Sequence, residues 1–449
     1  MASRARLAAR SHAGAIDAIE GIVRREGIEC DFERLDGFLF LPPGGDPKEI
    51  DREFAAAVRV GIEDVELAPG APIDGFDTGR CIRFPRQGQL HPLKYLAGLA
   101  RGIERDGGVI HCGTHAGEVR GGEHPCVITS EGYRVDCDAV VVATNTPIND
   151  RVKIHTKQAP YLTYVIAVRV PRGTVARALL WDTLDPYHYV RIIPEQEPHG
   201  EILVVGGEDH KTGQEHDGAE RFATLERWMR ERYPMAREVL YRWSGQIMET
   251  HDHLGFIGRN PGDENVYIAT GDSGMGLTHG TIAGLIITDL VHGTDIPWAR
   301  LYDPGRITLK SAPTFARETA NMAWQYADWL TAGDAKAADE IEPGSGTVVR
   351  RGAHKVAVYR DPSGERHEMS AVCTHLGCIV TWNDAEHTWD CKCHGSRFDA
   401  LGQVVSGPAV SDLKPVDVSS GPVEGDPDGL AKRSRGPAPA GEARHRDER

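Results

Sequence analysis

The sequence predicts two domains of different fold class, an α/β domain over residues 1–303 and an all-β domain over residues 345–420. Two observations lead to this division. A strand, a glycine-rich turn and an apolar helix follow one another at residues 266–290, which is typical of α/β folds. From residue 348 onward, short β-type runs alternate with turns. Residues 304–344 lie between the two domains and are predicted to form a helical linker.

Length, charge and hydropathy limit the class of protein. The 449 residues are enough for two or three domains that each bury a core. A formal net charge of −15 argues against a nucleic-acid or anionic-membrane partner. The sequence shows no apolar run of the roughly 18 residues that a membrane span needs, and no hydrophobic stretch follows the basic start. We therefore expect a cytoplasmic protein with a disordered, Gly-, Pro- and charge-rich tail at residues 421–449.

The first domain alternates helical and strand patterns. Apolar residues at helical spacing predict a helix over Ser11–Arg25, and a second helix is predicted from about Pro92 to Arg105. The run at residues 138–144 suits a central parallel strand whose end approaches a ligand. Further strands are predicted at residues 38–40, 109–112, 127–129, 161–170 and 202–207.

The glycine-rich turn is the candidate cofactor site of this domain. Glycines let a ligand approach the backbone, and the N-terminus of the following helix offers N–H groups and a positive dipole end. A phosphate or a flavin carbonyl would suit this place, although a purely structural turn is the alternative. The candidate cofactor-binding residues are Gly271, Asp272, Ser273, Gly274, Met275, Gly276, Thr278 and His279.

Two short motifs in the all-β domain combine cysteine and histidine. The first is Cys373-Thr-His375, and the second is Cys391-Lys-Cys393-His394. A Rieske [2Fe–2S] centre needs two thiolates on one iron and two imidazoles on the other, and each motif offers one residue of each kind. The alternative is a Cys₂His₂ zinc site, for which the Cys-x-His spacing is unusual.

The stretch from about Gly344 to Val418 resembles Rieske domains, and its loop glycines match their cluster loops. This resemblance implies that Cys373 and Cys391 bind the inner iron and that His375 and His394 bind the outer iron. It also implies a disulfide between the remaining two cysteines of the stretch, Cys378 and Cys393, as in Rieske proteins of cytochrome bc-type complexes. Such a bond would restrain the opening of the two cluster loops.

The second loop departs from the bc-type pattern at one position. That pattern continues Gly-Ser-x-Tyr, and both hydroxyls donate hydrogen bonds to cluster sulfur. Here the sequence keeps Ser396 but has Phe398 in place of the tyrosine. Hydrogen bonds to sulfur stabilise the added electron, so we expect a reduction potential below that of the high-potential respiratory members.

Residues 1 to about 303 resemble the later part of FAD-dependent oxidoreductases of the D-amino-acid oxidase and glycine oxidase type. The matching features are the strand at residues 140–144, the sequence Gln89-Leu-His-Pro92, the turn at residues 256–258 and the glycine turn. The resemblance implies that the glycine turn lies along the flavin. The family opens with a G-x-G-x-x-G unit that binds the ADP half of FAD, and none occurs near this N-terminus. We therefore expect a domain without its N-terminal ADP-binding unit, in which FAD binding is weak.

These observations predict a flavin-dependent oxidoreductase with a Rieske electron-transfer domain. The substrate would be a small amine or amino acid, and the external electron acceptor or donor is not identified. No catalytic acid or base is identified either. The alternative is a Rieske electron-transfer or redox-sensing protein without bound flavin. A Rieske oxygenase is disfavoured, because its mononuclear iron needs a 2-His-1-carboxylate triad and only His445 follows His394.

Overall fold

The computed structural model describes residues 2–149, 154–194, 200–294, 296–306, 321, 325–329 and 341–416. Most of the predicted linker and the whole of the tail at residues 421–449 lie outside these ranges. The described helices are α1 (Ala2–Glu26), α2 (Pro47–Val60), α3 (Pro92–Arg105), α4 (Gly218–Arg232), α5 (Gly276–Val291) and α6 (Ala299–Tyr302). None of these helices has the length and apolarity needed to cross a bilayer.

The strands divide between the two parts of the chain. Those before residue 271 are β1 (Glu33–Phe40), β2 (Glu66–Ala68), β3 (Cys81–Gln89), β4 (Ala116–Arg120), β5 (Cys126–Thr129), β6 (Arg134–Asp136), β7 (Val140–Val142), β8 (Gln158–Val170), β9 (Leu179–Asp182), β10 (His188–Pro194), β11 (Glu201–Lys211), β12 (Val239–Thr250), β13 (Phe256–Arg259) and β14 (Val266–Thr270). Those after residue 344 are β15 (Ser345–Arg351), β16 (His354–Arg360), β17 (Arg366–Ser370), β18 (Val380–Asn383), β19 (Thr388–Cys391), β20 (Arg397–Asp399) and β21 (Val404–Ser406).

An eight-stranded mixed sheet forms the largest layer, in the order β12-β8-β11-β10-β9-β1-β3-β2. Its strands alternate between two faces, as the twofold period of a strand requires. In β10, His188, Val190 and Ile192 are buried, whereas Tyr189 and Arg191 are only partly buried. One face packs with α4 into the main hydrophobic core, and the opposite face, which carries Tyr189 and Arg191, is called the open face.

A smaller sheet carries the glycine turn. Its order is β13-β14-β7, with β14 parallel to β7. The parallel pairing predicted for the run at residues 138–144 is confirmed, but its central position is wrong, because β7 is an edge strand of this sheet. Helices α1, α5 and α6 pack around β13 and β14 through Ala15, Ile282 and Ile286, which are fully buried. This packing fixes the start of α5 beside the end of β14.

The C-terminal domain is all-β in the part that the structure describes. A three-stranded sheet, β15-β16-β17, and a four-stranded sheet, β18-β19-β20-β21, enclose a core around Trp389 and Phe398, which are both fully buried. The predicted combination of an α/β domain and an all-β domain is therefore confirmed.

Two elements of the N-terminal domain differ from the prediction in their bounds or type. The helix predicted at Ser11–Arg25 is confirmed, although it begins at Ala2. The strand predicted at residues 109–112 is wrong, because these residues form a loop between α3 and β4. Val109 is 73% exposed there, so its apolar neighbours mark no core strand.

A buried ion pair holds the strands that flank the second cysteine–histidine motif. Asp390 is fully buried and accepts hydrogen bonds from Arg397 Nε at 3.0 Å, Thr388 Oγ1 at 2.8 Å and Asn383 Nδ2 at 2.9 Å. Removing one partner of a buried pair leaves the other charge without compensation. The pair therefore ties β18, β19 and β20 together.

We expect Asp390→Ala to destabilise the C-terminal domain by about 3–5 kcal/mol, because the Arg397 guanidinium would stay buried without its carboxylate. Urea unfolding followed by tryptophan fluorescence measures this change. Glu365→Ala, at an exposed position of the same domain, should change the free energy of unfolding by about 0.5 kcal/mol or less. Equal stability of the two variants would contradict the structural role of Asp390.

Candidate functional site

The two cysteine–histidine motifs form a pair of similar loops. In the first loop the Gly377 N–H donates to the Cys373 carbonyl at 3.0 Å, and in the second the Gly395 N–H donates to the Cys391 carbonyl at 3.0 Å. Both glycines have a positive φ, +77° and +79°, which residues with a Cβ rarely adopt. The second loop lies between β19 and β20, so the sheet fixes its ends. The two loops therefore face each other with matching turns.

The loops bring all four predicted cluster ligands together. The rings of His375 and His394 lie edge to face, with centroids 5.0 Å apart. The thiols of Cys373 and Cys391 are buried and hydrogen-bonded to each other. That hydrogen bond lowers the pKa of Cys373 to about 7 and raises the pKa of Cys391. Thiolate is the form in which cysteine ligates a metal.

His394 is in the state that a metal ligand requires. Burial, together with the neighbouring His375 and His155, lowers the pKa of His394 to about 3, so its ring is neutral at pH 7. Its Nδ1 atom is buried and has no hydrogen-bond partner in the described part of the chain. Two facing thiols and two facing imidazoles are the donor set of a Rieske cluster, so these residues fit that group. Their assignment as ligands remains our prediction.

A disulfide joins the two loops. It links Cys378 and Cys393, whose Cα atoms are 6.5 Å apart, and both residues are buried. Cys378, Cys391 and Cys393 lie close enough to suggest a three-sulfur metal site. The disulfide uses two of these sulfurs, which leaves Cys373 and Cys391 as the free thiols of this domain.

One serine hydroxyl reaches the cluster site. Ser396 is fully buried, hydrogen-bonds the Cys373 sulfur and accepts a hydrogen bond from the Ala409 N–H at 3.0 Å. Phe398 is fully buried in the core of the domain and brings no hydroxyl. The described residues therefore show one of the two hydroxyl contacts of the bc-type pattern.

The imidazole side of the site is buried against the N-terminal domain. The Gln246 side chain donates to the Gly395 carbonyl at 2.9 Å, and a Cβ on Gly395 would lie 2.6 Å from the Cβ of Pro160. The Ser244 N–H donates to Glu386 at 3.0 Å. Beside the first loop, the Trp329 indole N–H donates to the Gly377 carbonyl at 2.9 Å. The second cluster loop and the β18–β19 turn thus rest on the start of β8 and the middle of β12.

The predicted glycine turn joins β14 to α5. Gly271 and Gly274 have positive φ values of +71° and +76°. The Asp272 carbonyl accepts from the Met275 N–H at 2.8 Å and bonds His279 Nδ1 at 2.8 Å. Among the described residues, a Cβ on Gly274 would have Tyr187 Oη and Ile247 Cδ1 within 4 Å, at 3.7 and 3.8 Å. The space beside the Gly274 backbone therefore lies toward the open face of the large sheet.

The remaining turn residues divide between two surroundings. Gly276 is exposed, and Ser273 and Thr278 are partly buried. His279 instead packs between helices, with its ring centroid 5.1 Å from that of His12 on α1. Burial lowers the pKa of both histidines, that of His12 to about 4.

The turn also leaves buried polar atoms available. His12 Nε2, His279 Nε2 and Asp272 Oδ1 are buried and have no hydrogen-bond partner among the described residues. Donors and acceptors of this kind fit the edge of a flavin, which carries both. The residues of the turn therefore fit the flavin side of an FAD molecule, and their binding role remains our prediction.

Sequence reasoning missed a polar cluster on the open face of the large sheet. It contains Tyr187, Tyr189, Arg191 and Asp209. Tyr189 lies opposite Gly206 in the neighbouring strand, and a Cβ on that glycine would come within 2.2 Å of the tyrosine ring. The Arg191 Cζ lies 5.7 Å from the centre of the same ring. The sequence signal that could have identified this cluster is an arginine at a position of β10 whose side chain points away from the core.

The charged members of this cluster are poorly solvated. Burial lowers the pKa of Arg191, and no described carboxylate forms an ion pair with it. The Arg191 guanidinium donates a hydrogen bond to the Val190 carbonyl at 2.7 Å. Burial also raises the pKa of Asp209 to about 6. A buried guanidinium without a carboxylate favours an anionic ligand. Tyr187 connects this cluster to the glycine turn.

Comparison with known proteins agrees with this architecture. The family described as FAD dependent oxidoreductase matches residues 2–290, and the Rieske [2Fe-2S] domain family matches residues 331–417. The chain belongs to the FAD dependent oxidoreductase family, and it carries a C-terminal Rieske [2Fe–2S] domain. It is thus an FAD-dependent oxidoreductase with an iron–sulfur electron-transfer domain.

Individual relatives show the same combination or its parts. The chain is 31% identical over 423 residues to the putative Rieske 2Fe-2S iron-sulfur protein YhfW of Bacillus subtilis (strain 168), covering 93% of this chain and 81% of that protein. It is 31% identical over 146 residues to the cytochrome b6-f complex iron-sulfur subunit of Synechococcus sp. (strain WH7803), covering 32% of this chain and 75% of that protein. Glycine oxidase from Geobacillus kaustophilus has a similar fold, with a TM-score of 0.55 and 18% identity over 67% of this chain and 83% of that one.

The first prediction for this site concerns the metal. Purified anaerobically, the protein should contain two irons and two acid-labile sulfides per chain, the content of a [2Fe–2S] cluster. His394→Ala should abolish the Rieske-type EPR signal, whereas His354→Ala, an exposed histidine of the same domain, should leave it unchanged. Stoichiometric zinc in place of iron would contradict the assignment of a [2Fe–2S] cluster.

The second prediction concerns the hydroxyl at the cluster. Ser396→Ala removes a hydrogen bond to a ligand sulfur, which matters more after reduction because the cluster then carries an additional electron. If this hydrogen bond stabilises the reduced cluster over the oxidised cluster by about 1.4 kcal/mol, its loss lowers the one-electron midpoint potential by about 60 mV.

Redox titration followed by circular dichroism measures this potential. Phe398→Tyr, which restores the second hydroxyl, should raise it. A potential that is unchanged in Ser396→Ala would show that the hydroxyl does not act on the cluster.

Proposed function

We propose that the flavin domain oxidises a small amine or amino acid and that its electrons leave through the Rieske cluster. The observation that carries this proposal is the position of His394, a predicted cluster ligand that is 3% exposed and buried against the flavin domain. A cluster in this position can exchange electrons with the flavin side of the same chain without a separate docking step. Residues 373–378 and 391–396 would hold the cluster.

The polar cluster on the open sheet face supports an amino-acid substrate. Arg191 would bind a substrate carboxylate, because guanidinium and carboxylate form paired, charge-assisted hydrogen bonds. Tyr187 would close the site on the side of Gly274, where its hydroxyl lies 3.7 Å from the position of a Cβ. Asp209, with its pKa raised to about 6, would face the amino group as an acceptor. The fold neighbours include an L-amino acid deaminase from Proteus myxofaciens (TM-score 0.53, 14% identity).

The cofactors supply the redox chemistry in this proposal. FAD takes up two electrons as a hydride equivalent, and a [2Fe–2S] cluster takes up one electron at a time. The chain's own residues would bind the substrate at Arg191 and orient it between Tyr187 and Gly274. An external one-electron acceptor would receive the electrons from the cluster.

Anaerobic mixing tests this function. The protein loaded with FAD and cluster is mixed with a panel of amino acids and primary amines, while flavin absorbance and the EPR signal of the reduced cluster are recorded. We expect flavin bleaching by at least one compound, followed by growth of the cluster signal. Bleaching by none of them would favour the alternative, an electron-transfer or redox-sensing protein without a substrate.

A variant tests the substrate side separately. Arg191→Met should raise KM for a carboxylate-bearing substrate about 10- to 100-fold, since a charge-assisted hydrogen bond contributes about 1.5–3 kcal/mol. The KM for an amine without a carboxylate should change little. Arg177→Met removes an exposed arginine that pairs with Glu33, and it should leave both values unchanged. Equal effects of Arg191→Met on both substrates would contradict carboxylate binding.

A further inference from the structure

Three histidine rings meet where the two domains touch. His155 belongs to the N-terminal domain, in the 3₁₀ turn His155–Lys157 that leads into β8. Its ring centroid lies 5.0 Å from that of His375 and 5.7 Å from that of His394, with interplanar angles of 69° and 70°. A single side chain of the flavin domain therefore contacts both predicted imidazole ligands of the cluster.

The position of His155 is enclosed. The side chain is 1% exposed, and the residue before it, Ile154, is fully buried. The Thr146 hydroxyl, also fully buried, lies 3.3 Å from His155 Nδ1 and fixes the orientation of the ring. On the cluster side, a Cβ on Gly407 would come within 3.5 Å of the Thr146 methyl group. Water is thus kept away from the histidine side of the cluster.

Hydrogen bonds connect this position to the glycine turn. Thr146 follows Asn145, whose carbonyl accepts from the Thr270 hydroxyl at 2.5 Å. The same hydroxyl lies 3.2 Å from Gln158 Oε1. Thr270 is the last residue of β14 and directly precedes Gly271, where the turn begins. The chain of contacts therefore runs from the turn through Thr270, Asn145 and Thr146 to His155.

We infer that His155 is the residue through which electrons pass from the flavin side of the molecule to the Rieske cluster. The inference rests on the proposed function, since it names the contact that the proposed electron relay uses. His155 acts as a positioning residue: its ring packs against both predicted ligand imidazoles and is the flavin-domain side chain that contacts them. With both cofactors bound, each transfer would move one electron from the reduced flavin to one ferric iron, and no bond would be made or broken at the cluster. A one-electron acceptor outside the chain would reoxidise the iron before the second electron follows.

Because the His155 ring covers the histidine side of the cluster, it also affects the midpoint potential of the cluster. Two thiolates and two neutral imidazoles balance the oxidised cluster, so reduction adds a net negative charge. Burial disfavours a charged state relative to water. Opening the histidine side to water should therefore raise the midpoint potential, and a ring of similar size at position 155 should prevent this.

The experiment uses the protein loaded with FAD and cluster, with three variants. His155→Ala removes the ring, and His155→Phe keeps its volume but removes the hydrogen bond to Thr146. His210→Phe is the matched control. His210 is also a buried histidine of the N-terminal domain, but its ring hydrogen-bonds the Tyr164 hydroxyl and does not pack against the predicted cluster ligands. The flavin is reduced by a light pulse with 5-deazaflavin under anaerobic conditions, and cluster reduction is followed by absorbance and EPR. The midpoint potential and EPR spectrum of each dithionite-reduced variant are recorded separately.

We expect both His155 variants to slow reduction of the cluster about tenfold or more, as replacement of a neighbour of a metal ligand commonly does. His155→Ala should in addition raise the midpoint potential, and both variants should change the EPR spectrum. The control should match the unmodified protein in rate, potential and spectrum. Unchanged rates in folded, cluster-containing His155 variants would overturn the role of His155. Failure of the unmodified protein to pass electrons from flavin to cluster would instead overturn the proposed relay itself.

Discussion

The burial of two imidazole rings beneath another domain is the constraint on which this structure depends. An imidazole placed at a domain boundary loses contact with water, so it must be neutral and must find either a metal or a hydrogen-bond partner. His394 meets this requirement through a strongly lowered pKa and a buried Nδ1 that fits a metal. Among the described residues of the flavin domain, those that contact the cluster loops and the segment beside them include Thr146, Ile148, His155, Pro160 and Gln246.

Direct hydrogen bonds connect the cluster loops to their surroundings. Gln246 reaches the second loop and Trp329 the first, each at 2.9 Å from a backbone carbonyl. Lys392 in the second loop pairs with Asp328 at 2.9 Å, next to Trp329 in the chain. Each such bond contributes only about 0.5–1.5 kcal/mol, but their directions fix the loop positions. The loops are also restrained internally by the disulfide and by Asp390 at the base of β19.

The large sheet separates stability from chemistry by its twofold alternation. Along β10, Val190 and Ile192 complete the core, while Tyr189 and Arg191 point to the other face. Gly206 is required on the neighbouring strand because the ring of Tyr189 occupies the space of its missing Cβ. Strand β10 thus contributes both to the packed core and to the polar face on the side of the glycine turn.

The sequence by itself determined the elements whose signal is local. The cysteine–histidine spacing predicted the iron–sulfur domain, the strand–glycine–helix order predicted the turn at Gly271, and helical periodicity predicted α1. The error at residues 109–112 has the same origin, since a short apolar run carries no information on whether a core lies beside it. The tertiary structure alone decided which distant residues meet. His155 and Arg191 have no motif, and their surroundings come from segments far away in the chain. Contacts of that kind follow from the packing of sheets and domains, which local patterns do not encode.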